Sequence, residues 1–148
     1  MKVNEVMTAN PGCCTPDSQL TEVAKMMVAH DCGLIPVVEN QTNKVPIGVI
    51  TDRDIVCGTV AKDRNPLDLT AADCMSQPVV TVSPTTSVED CCRTMEEKRI
   101  RRVPVVDESG ACVGIVALAD IALQAKNNVA GVVQEVSEPA KSTGATAG

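Results

Sequence analysis

Gly48-Val49-Ile50-Thr51-Asp52-Arg53-Asp54 is the stretch around which the rest of the chain is organised. An apolar run over residues 45–50 stops there at a hydroxyl and at two carboxylates that flank an arginine. This pattern predicts a buried strand that passes into a helix capped near Thr51 or Asp52. Backbone N–H groups at such a junction can meet an anion, and glycine allows another backbone or a flat ligand to approach closely. Taken alone, these residues favour an ordinary capped helix with solvated charges over a ligand site.

The composition narrows the classes of function. The 148-residue chain has a formal net charge of −6 and contains no Phe, Tyr or Trp. Nucleic-acid binders usually need a basic surface or aromatic side chains on which bases stack, so we expect no nucleic-acid partner. No apolar run is long enough to span a membrane, and residues 1–5 do not begin a signal peptide. We therefore expect a cytoplasmic protein without membrane contact.

The sequence offers no motif for catalysis or metal binding. Its eight cysteines include no Cys-x-x-Cys pair, so their spacing does not indicate a zinc site. In a cytoplasmic protein we expect them to be free, small and buried. The only histidine, His30, has no partner pattern for a metal or a triad and is expected at the surface. Motifs typical of hydrolases, metalloproteases and phosphate-binding loops are absent, so we predict no catalytic residues, no metal site and no enzyme activity.

The pattern of the chain occurs twice. Five pairs of equivalent positions (7/75, 16/84, 20/88, 27/95 and 36/104) differ by 68, and three later pairs (48/114, 54/120 and 55/121) differ by 66. We predict strands over 34–38 and 45–50 with helices over 20–28 and 52–60, and then strands over 79–82, 102–106 and 111–116 with helices from Val88 and over 118–125. Each half is too small to bury a core alone, so the halves should pack face to face.

This repeated order of motifs resembles a tandem pair of CBS domains, also called a Bateman module. The resemblance rests on the Met and Pro positions that open each half, the Pro-Val-Val strand and the Gly-h-h-Thr-x-x-Asp ending, and it covers roughly residues 3–123. It implies an α+β fold with two CBS-type β-α-β-β-α halves packed through their sheets by pseudo-two-fold symmetry. We assign 1–62 to the first CBS motif, 63–70 to a linker, 71–127 to the second motif and 128–148 to a C-terminal helix and flexible tail. Within the last segment we expect the helix over 128–136 and the tail over 139–148.

The resemblance also implies two related clefts between the halves. The first cleft, which we call the Asp54 cleft, would bind an adenosine nucleotide through Val49, Thr51, Arg53, Asp54, Pro78, Val80, Ile100, Arg101 and Arg102. Its carboxylate would accept hydrogen bonds from the ribose hydroxyls, its aliphatic side chains would hold the adenine, and its hydroxyl and arginines would meet phosphate. The second cleft, which we call the Asp120 cleft, would use Gly12, Cys32, Gly33, Ile115, Ala117 and Asp120.

The two clefts differ in their expected charge. Ala117 and Ala119 stand where the first half has Thr51 and Arg53, and the basic run over 98–102 faces the Asp54 cleft. Basic side chains also favour a helix C-terminus through the helix dipole, and for residues 98 and 99 the two interpretations are equally good. Residues 101 and 102 lie past the expected helix end, so we assign them to the ligand. One nucleotide per chain is therefore expected, in the Asp54 cleft.

The function predicted from these features is a regulatory sensor of AMP, ADP or ATP, alone or with Mg, without a catalytic cofactor. A homodimer is expected because helix faces that include Ile55, Ile121 and Ala125 would remain exposed, and the sensor would act on a regulated protein that the sequence does not identify. Two alternatives stay open at this point. The chain could be a ligand-free dimerisation or protein-interaction module, or it could bind S-adenosylmethionine or NAD.

Overall fold

Residues 1–136 are described by the computed structural model, and side-chain surroundings are described for residues 1–127. The fold is α+β, as the sequence predicted. In chain order the regular elements are β1 (Thr8–Ala9), α1 (Leu20–His30), β2 (Leu34–Val38), β3 (Pro46–Thr51), α2 (Asp52–Gly58), α3 (Ala71–Cys74), α4 (Val88–Lys98), β4 (Arg102–Val106), β5 (Cys112–Ala117) and α5 (Leu118–Val136). Short 3₁₀ turns occupy Val3–Glu5, Val60–Lys62 and Pro66–Asp68.

Each half is built on one antiparallel hairpin. Strands β2 and β3 pair in the first half, and β4 and β5 pair in the second. Every side chain of β2 is buried, whereas β3 alternates between buried and half-buried positions, as expected for a strand with one face toward a core and one toward a cleft.

The segments that lead into each half join the sheet of the other half. Strand β1 pairs with β5, with Thr8 opposite Ile115. At the equivalent place in the other sheet, Ser76 and Val49 exchange backbone hydrogen bonds of 2.8 and 3.1 Å. This exchange was not predicted. It explains Gly48, because a Cβ there would lie 2.7 Å from the carbonyl oxygen of Ser76. The group that packs closely against Gly48 is therefore the backbone carbonyl of Ser76.

The two hydrophobic cores follow the same exchange. The first-half core contains Leu20, Val23, Ile35 and Ile50 together with Leu69 from the linker and Ala71 from the start of the second half. The second-half core contains Cys91, Met95, Val103 and Val116 together with Val3 from the N-terminal turn. In α1, Leu20 and Val23 are buried and Met27 is half-buried, whereas Ala24 and Val28 are exposed. In α4, Cys91 and Met95 are buried and Val88 and Cys92 are half-buried.

The predicted strand over 79–82 is wrong, and the first strand of each half is reduced to one bridge. Val82 pairs with Val105, and Cys14 pairs with Val37, both in parallel. A parallel ladder through Cys14 would next need backbone N–H groups at positions 36 and 16, and both are prolines. Prolines stand at the matching positions of the second half, 104 and 84, so pairing stops there for the same reason.

Helix α5 is longer than predicted. Separate helices over 118–125 and 128–136 were expected, but one continuous helix spans Leu118–Val136. The tail predicted for 139–148 lies outside the described residues. Within the described part of the chain, no helix combines the length and apolarity needed to cross a membrane.

The structure corrects two expectations about which side chains are exposed. All eight cysteines are free, as expected, but Cys57 is exposed rather than buried. Burial raises the pKa of the Cys14 thiol to about 12 and that of Cys91 to about 11. Ile121 is only 8% exposed and belongs to the second-half core, so it cannot contribute to an exposed dimer face. Ile55 is half-buried against the first-half core.

Candidate functional site

The nine residues predicted for the Asp54 cleft line one cavity of about 680 Å³. They come from two places in the first half, the end of β3 and the start of α2, and from two in the second half, the segment after Ser76 and the segment that leads from α4 into the first residue of β4. Five further residues line the same cavity: Leu34, Asp52, Ser76, Arg99 and Pro104.

The junction between β3 and α2 fixes the carboxylate of this cleft. Thr51 is the N-cap, and its hydroxyl oxygen accepts a hydrogen bond from the backbone N–H of Asp54 at 3.0 Å. In return, the Asp54 carboxylate accepts one from the backbone N–H of Thr51 at 2.9 Å. This reciprocal capping box is what the sequence Thr-x-x-Asp favours. It holds Asp54 at the cavity wall and leaves the hydroxyl proton of Thr51 free to turn toward a ligand.

Ser76 is a second support for Asp54, and sequence reasoning missed it. Its hydroxyl donates to the Oδ1 atom of Asp54 at 3.1 Å. The signal was present, because the repeat shift of 68 places Ser76 opposite Thr8, another hydroxyl residue at the crossing point. Each carboxylate oxygen of Asp54 thus accepts one hydrogen bond inside the protein and keeps lone-pair capacity for a ribose hydroxyl.

The cavity is rich in cations. Four arginines (Arg53, Arg99, Arg101 and Arg102) line it against two aspartates, Asp52 and Asp54. Among the described residues, ion pairs within 4 Å join only Arg64 to Asp73 and Arg93 to Asp90, so none of the four cleft arginines is paired. The sequence left two roles open for Lys98 and Arg99, a ligand contact and stabilisation of the helix C-terminus. In the structure Arg99 lines the cavity and Lys98 does not. Arg99 ends α4 in the left-handed conformation, with φ of 56°.

The six residues predicted for the Asp120 cleft also line one cavity, of about 430 Å³. Its remaining wall comes from β1, from the turn over 10–12 and from the end of α1, including His30 and Asp31. His30 is exposed, as expected. The side chain of Asp120 forms no hydrogen bond within the described residues, and Ala117 has no hydroxyl that could cap the following helix as Thr51 does.

The expectation that all cations belong to one cleft needs correction. Arg102 lines both cavities. It lies at the start of β4, paired with Ala117 of β5, and so stands between the two clefts.

No group of three or more His, Cys, Asp or Glu side chains suited to a metal ion occurs in residues 1–127. The Asp54 cleft is lined by hydrogen-bond acceptors, aliphatic side chains and positively charged side chains.

Comparison with known proteins agrees with this architecture. The family model described as the CBS domain matches the chain twice, over residues 3–57 and 71–126. The CBS domain-containing protein YhcV of Bacillus subtilis is 38% identical over 126 residues, which are 85% of this chain and 86% of the relative.

Two solved structures are similar over most of their length. The crystal structure of Hypoxic Response Protein I with two coordinated zinc ions has a TM-score of 0.73 at 33% identity and covers 83% of this chain and 98% of its own. The CBS domain pair of protein MJ0100, solved in complex with 5′-methylthioadenosine and S-adenosyl-L-methionine, has a TM-score of 0.77 at 26% identity and covers 86% and 98%.

Proposed function

The chain belongs to the CBS-domain family as a tandem pair, and from this premise we propose that it is a regulatory module that binds an adenosine nucleotide. The ligand site is the Asp54 cleft. The module has no catalytic activity of its own, and the cytoplasmic location expected from the sequence belongs to the same proposal.

The observation that carries this proposal is the set of unpaired arginines beside a held carboxylate. An acidic chain that gathers four arginines around one cavity, with no ion-pair partner for any of them in the described part of the chain, has an excess of positive charge there. A phosphate would supply the missing negative charge through charge-assisted hydrogen bonds. The Asp54 carboxylate suits a ribose diol, and the aliphatic side chains of Val49, Val80 and Ile100 suit a base where no aromatic residue is available.

The adenosine part of the proposal is supported by the MJ0100 pair, which was solved with two adenosine-containing ligands. The charge of the Asp54 cleft favours AMP, ADP or ATP over S-adenosylmethionine, because a sulfonium ligand brings positive charge to a site that already has an excess of arginine. A bound triphosphate would carry Mg with it, since phosphate oxygens are the ligands that Mg prefers.

A homodimer that acts on a regulated protein completes the proposal. Exposed apolar side chains lie on α2 and on the two 3₁₀ turns that follow it, with Val56, Val60 and Leu67 each more than half exposed. The same observation favours a second candidate function, a ligand-free dimerisation module, which requires no small molecule at all.

Calorimetric titration with ATP, ADP, AMP, S-adenosylmethionine and NAD separates the two candidates. The nucleotide sensor predicts saturable binding of at least one of AMP, ADP and ATP that weakens with added salt, and GMP serves as the control for the base. A stable dimer that releases no heat with any of the five compounds would favour the ligand-free module.

A further inference from the structure

Arg102 is the only arginine among the described residues that lines both clefts. It also lines a shallow depression of about 500 Å³ between them, together with Gly33 of the Asp120 cleft and Asp52 of the Asp54 cleft. A long guanidinium side chain at this point can therefore serve either neighbour.

The geometry at Gly33 shows how close the clefts are. A Cβ at this glycine would lie 3.3 Å from Nη2 of Arg102 and 3.0 Å from Oδ2 of Asp52. The guanidinium thus lies directly over the backbone of the Asp120 cleft. Even so, Arg102 forms no ion pair within 4 Å in the described residues. The two ion pairs found there join Arg64 to Asp73 and Arg93 to Asp90.

The charge of each cleft determines what Arg102 contributes. In the Asp54 cleft it is one of four arginines, so three would remain without it. In the Asp120 cleft it faces two aspartates, Asp31 and Asp120, and no other Arg or Lys lines that cavity among the described residues. Without Arg102 the carboxylates of Asp31 and Asp120 would remain in the Asp120 cleft, and they would repel a phosphate.

We propose that Arg102 is a cation shared by the two clefts and the specificity-determining residue of the Asp120 cleft, where it decides whether a phosphate-bearing adenosine ligand is accepted. This inference rests on the proposed function. Neutral adenosine does not need the guanidinium, so its affinity for the Asp120 cleft is independent of Arg102. A phosphate in the Asp54 cleft competes for the same side chain, which makes the Asp120 cleft the weaker site for AMP.

Two isoleucine methyl groups provide separate readouts. Ile100 lines only the Asp54 cleft and Ile115 only the Asp120 cleft. Protein labelled at isoleucine methyls is titrated with AMP and with adenosine by NMR at low salt. Arg102→Gln is compared with Arg93→Gln, which removes the same charge from an exposed residue of α4 that lines neither cleft.

The proposal predicts that Arg102→Gln raises the AMP concentration for half-saturation at both methyls, by a few-fold at Ile100 and about tenfold or more at Ile115. Adenosine titrations are unchanged at Ile115, and Arg93→Gln changes neither response. An effect at only one methyl, equal losses for AMP and adenosine, or an Ile115 methyl that ignores AMP in the unaltered protein would overturn the proposal. Failure of the proposed function looks different, because the Ile100 methyl would then respond to neither ligand.

Discussion

Asp31 and Arg99 occupy the same place in the two halves and carry opposite charges. Each ends the long helix of its half in the left-handed conformation, with φ of 48° at Asp31 and 56° at Arg99. Asp31 lines the Asp120 cleft and Arg99 lines the Asp54 cleft. A single pair of repeat-related positions thus makes one cavity more acidic and the other more basic.

Replacing Arg99 by the residue of its counterpart tests this asymmetry. Arg99→Asp should weaken AMP binding by about tenfold or more, because one charge-assisted contact is lost and a negative charge is added. Aspartate tolerates the left-handed conformation, so the helix end should persist. Lys98→Asp makes the same change in charge at a neighbouring exposed position that does not line the cavity. Equal losses of calorimetric affinity in both variants would show that only the general field matters.

Asp54 should matter for both binding and stability. Asp54→Ala removes the carboxylate that accepts from Thr51 and Ser76, so we expect AMP binding to weaken by more than tenfold and the free energy of unfolding to fall by about 1 kcal/mol. Urea denaturation and calorimetry measure the two effects.

The equivalent change Asp120→Ala is the matched control, since the side chain of Asp120 forms no hydrogen bond in the described residues. It should leave the free energy of unfolding within about 0.5 kcal/mol. If Asp120→Ala weakened AMP binding more than Asp54→Ala, the choice of the main cleft would be wrong.

The thiols should fall into two classes of reactivity. Cys57 is exposed and should react with a thiol reagent within seconds at pH 8, whereas Cys14 and Cys91 should react only on unfolding. Mass spectrometry of labelled peptides identifies the sites. Rapid labelling of Cys91 in the folded protein would contradict its place in the core.

The raised thiol pKa values also predict alkaline destabilisation. Because burial raises the pKa of Cys14 to about 12 and of Cys91 to about 11, the folded chain keeps protons that the unfolded chain loses near 9. The unfolded state then binds fewer protons, so stability is intact below pH 9 and falls as the pH rises from 9 toward 12. Cys14→Ala and Cys91→Ala should each reduce this dependence in urea denaturation measured across that range.

The proposed dimer should depend on the exposed apolar side chains Val56, Val60 and Leu67, which lie on α2 and on the two 3₁₀ turns that follow it. Val60→Glu, at a side chain that is 71% exposed, should shift the dimer toward monomer by light scattering without a change in the circular dichroism spectrum. Val28→Glu changes a valine that is 83% exposed on α1 and serves as the control. A monomeric unaltered protein at micromolar concentration would contradict the dimer itself.

The repeat explains why much of the architecture was predictable from sequence. Equivalent glycines and prolines helped to predict the hairpins, because each of these residue types has a backbone requirement that leaves a local signature. The two clefts were predicted from the resemblance to a pair of CBS domains. The capping box at Thr51 and Asp54 is a contact between residues three apart, so it too could be read directly from the sequence.

The remaining features depend on contacts between distant parts of the chain. The approach of Ser76 to Val49, the entry of Val3 into the second-half core and the burial of Ile121 all depend on how the halves exchange their leading segments. The position of Arg102 between two cavities depends on the same arrangement. The sequence analysis assigned Arg102 to the Asp54 cleft alone. Equivalent positions in a repeat do not indicate how far an arginine side chain extends or which cavity it lines.

Stoichiometric titration of the unaltered protein with AMP at low salt, followed at the methyls of Ile100 and Ile115, tests the central claim most directly. We expect one tightly bound AMP per chain, with the Ile100 methyl saturating first and the Ile115 methyl responding only at higher concentration. Two equivalent sites per chain, an Ile115 methyl that saturates first, or no response at either methyl would contradict it.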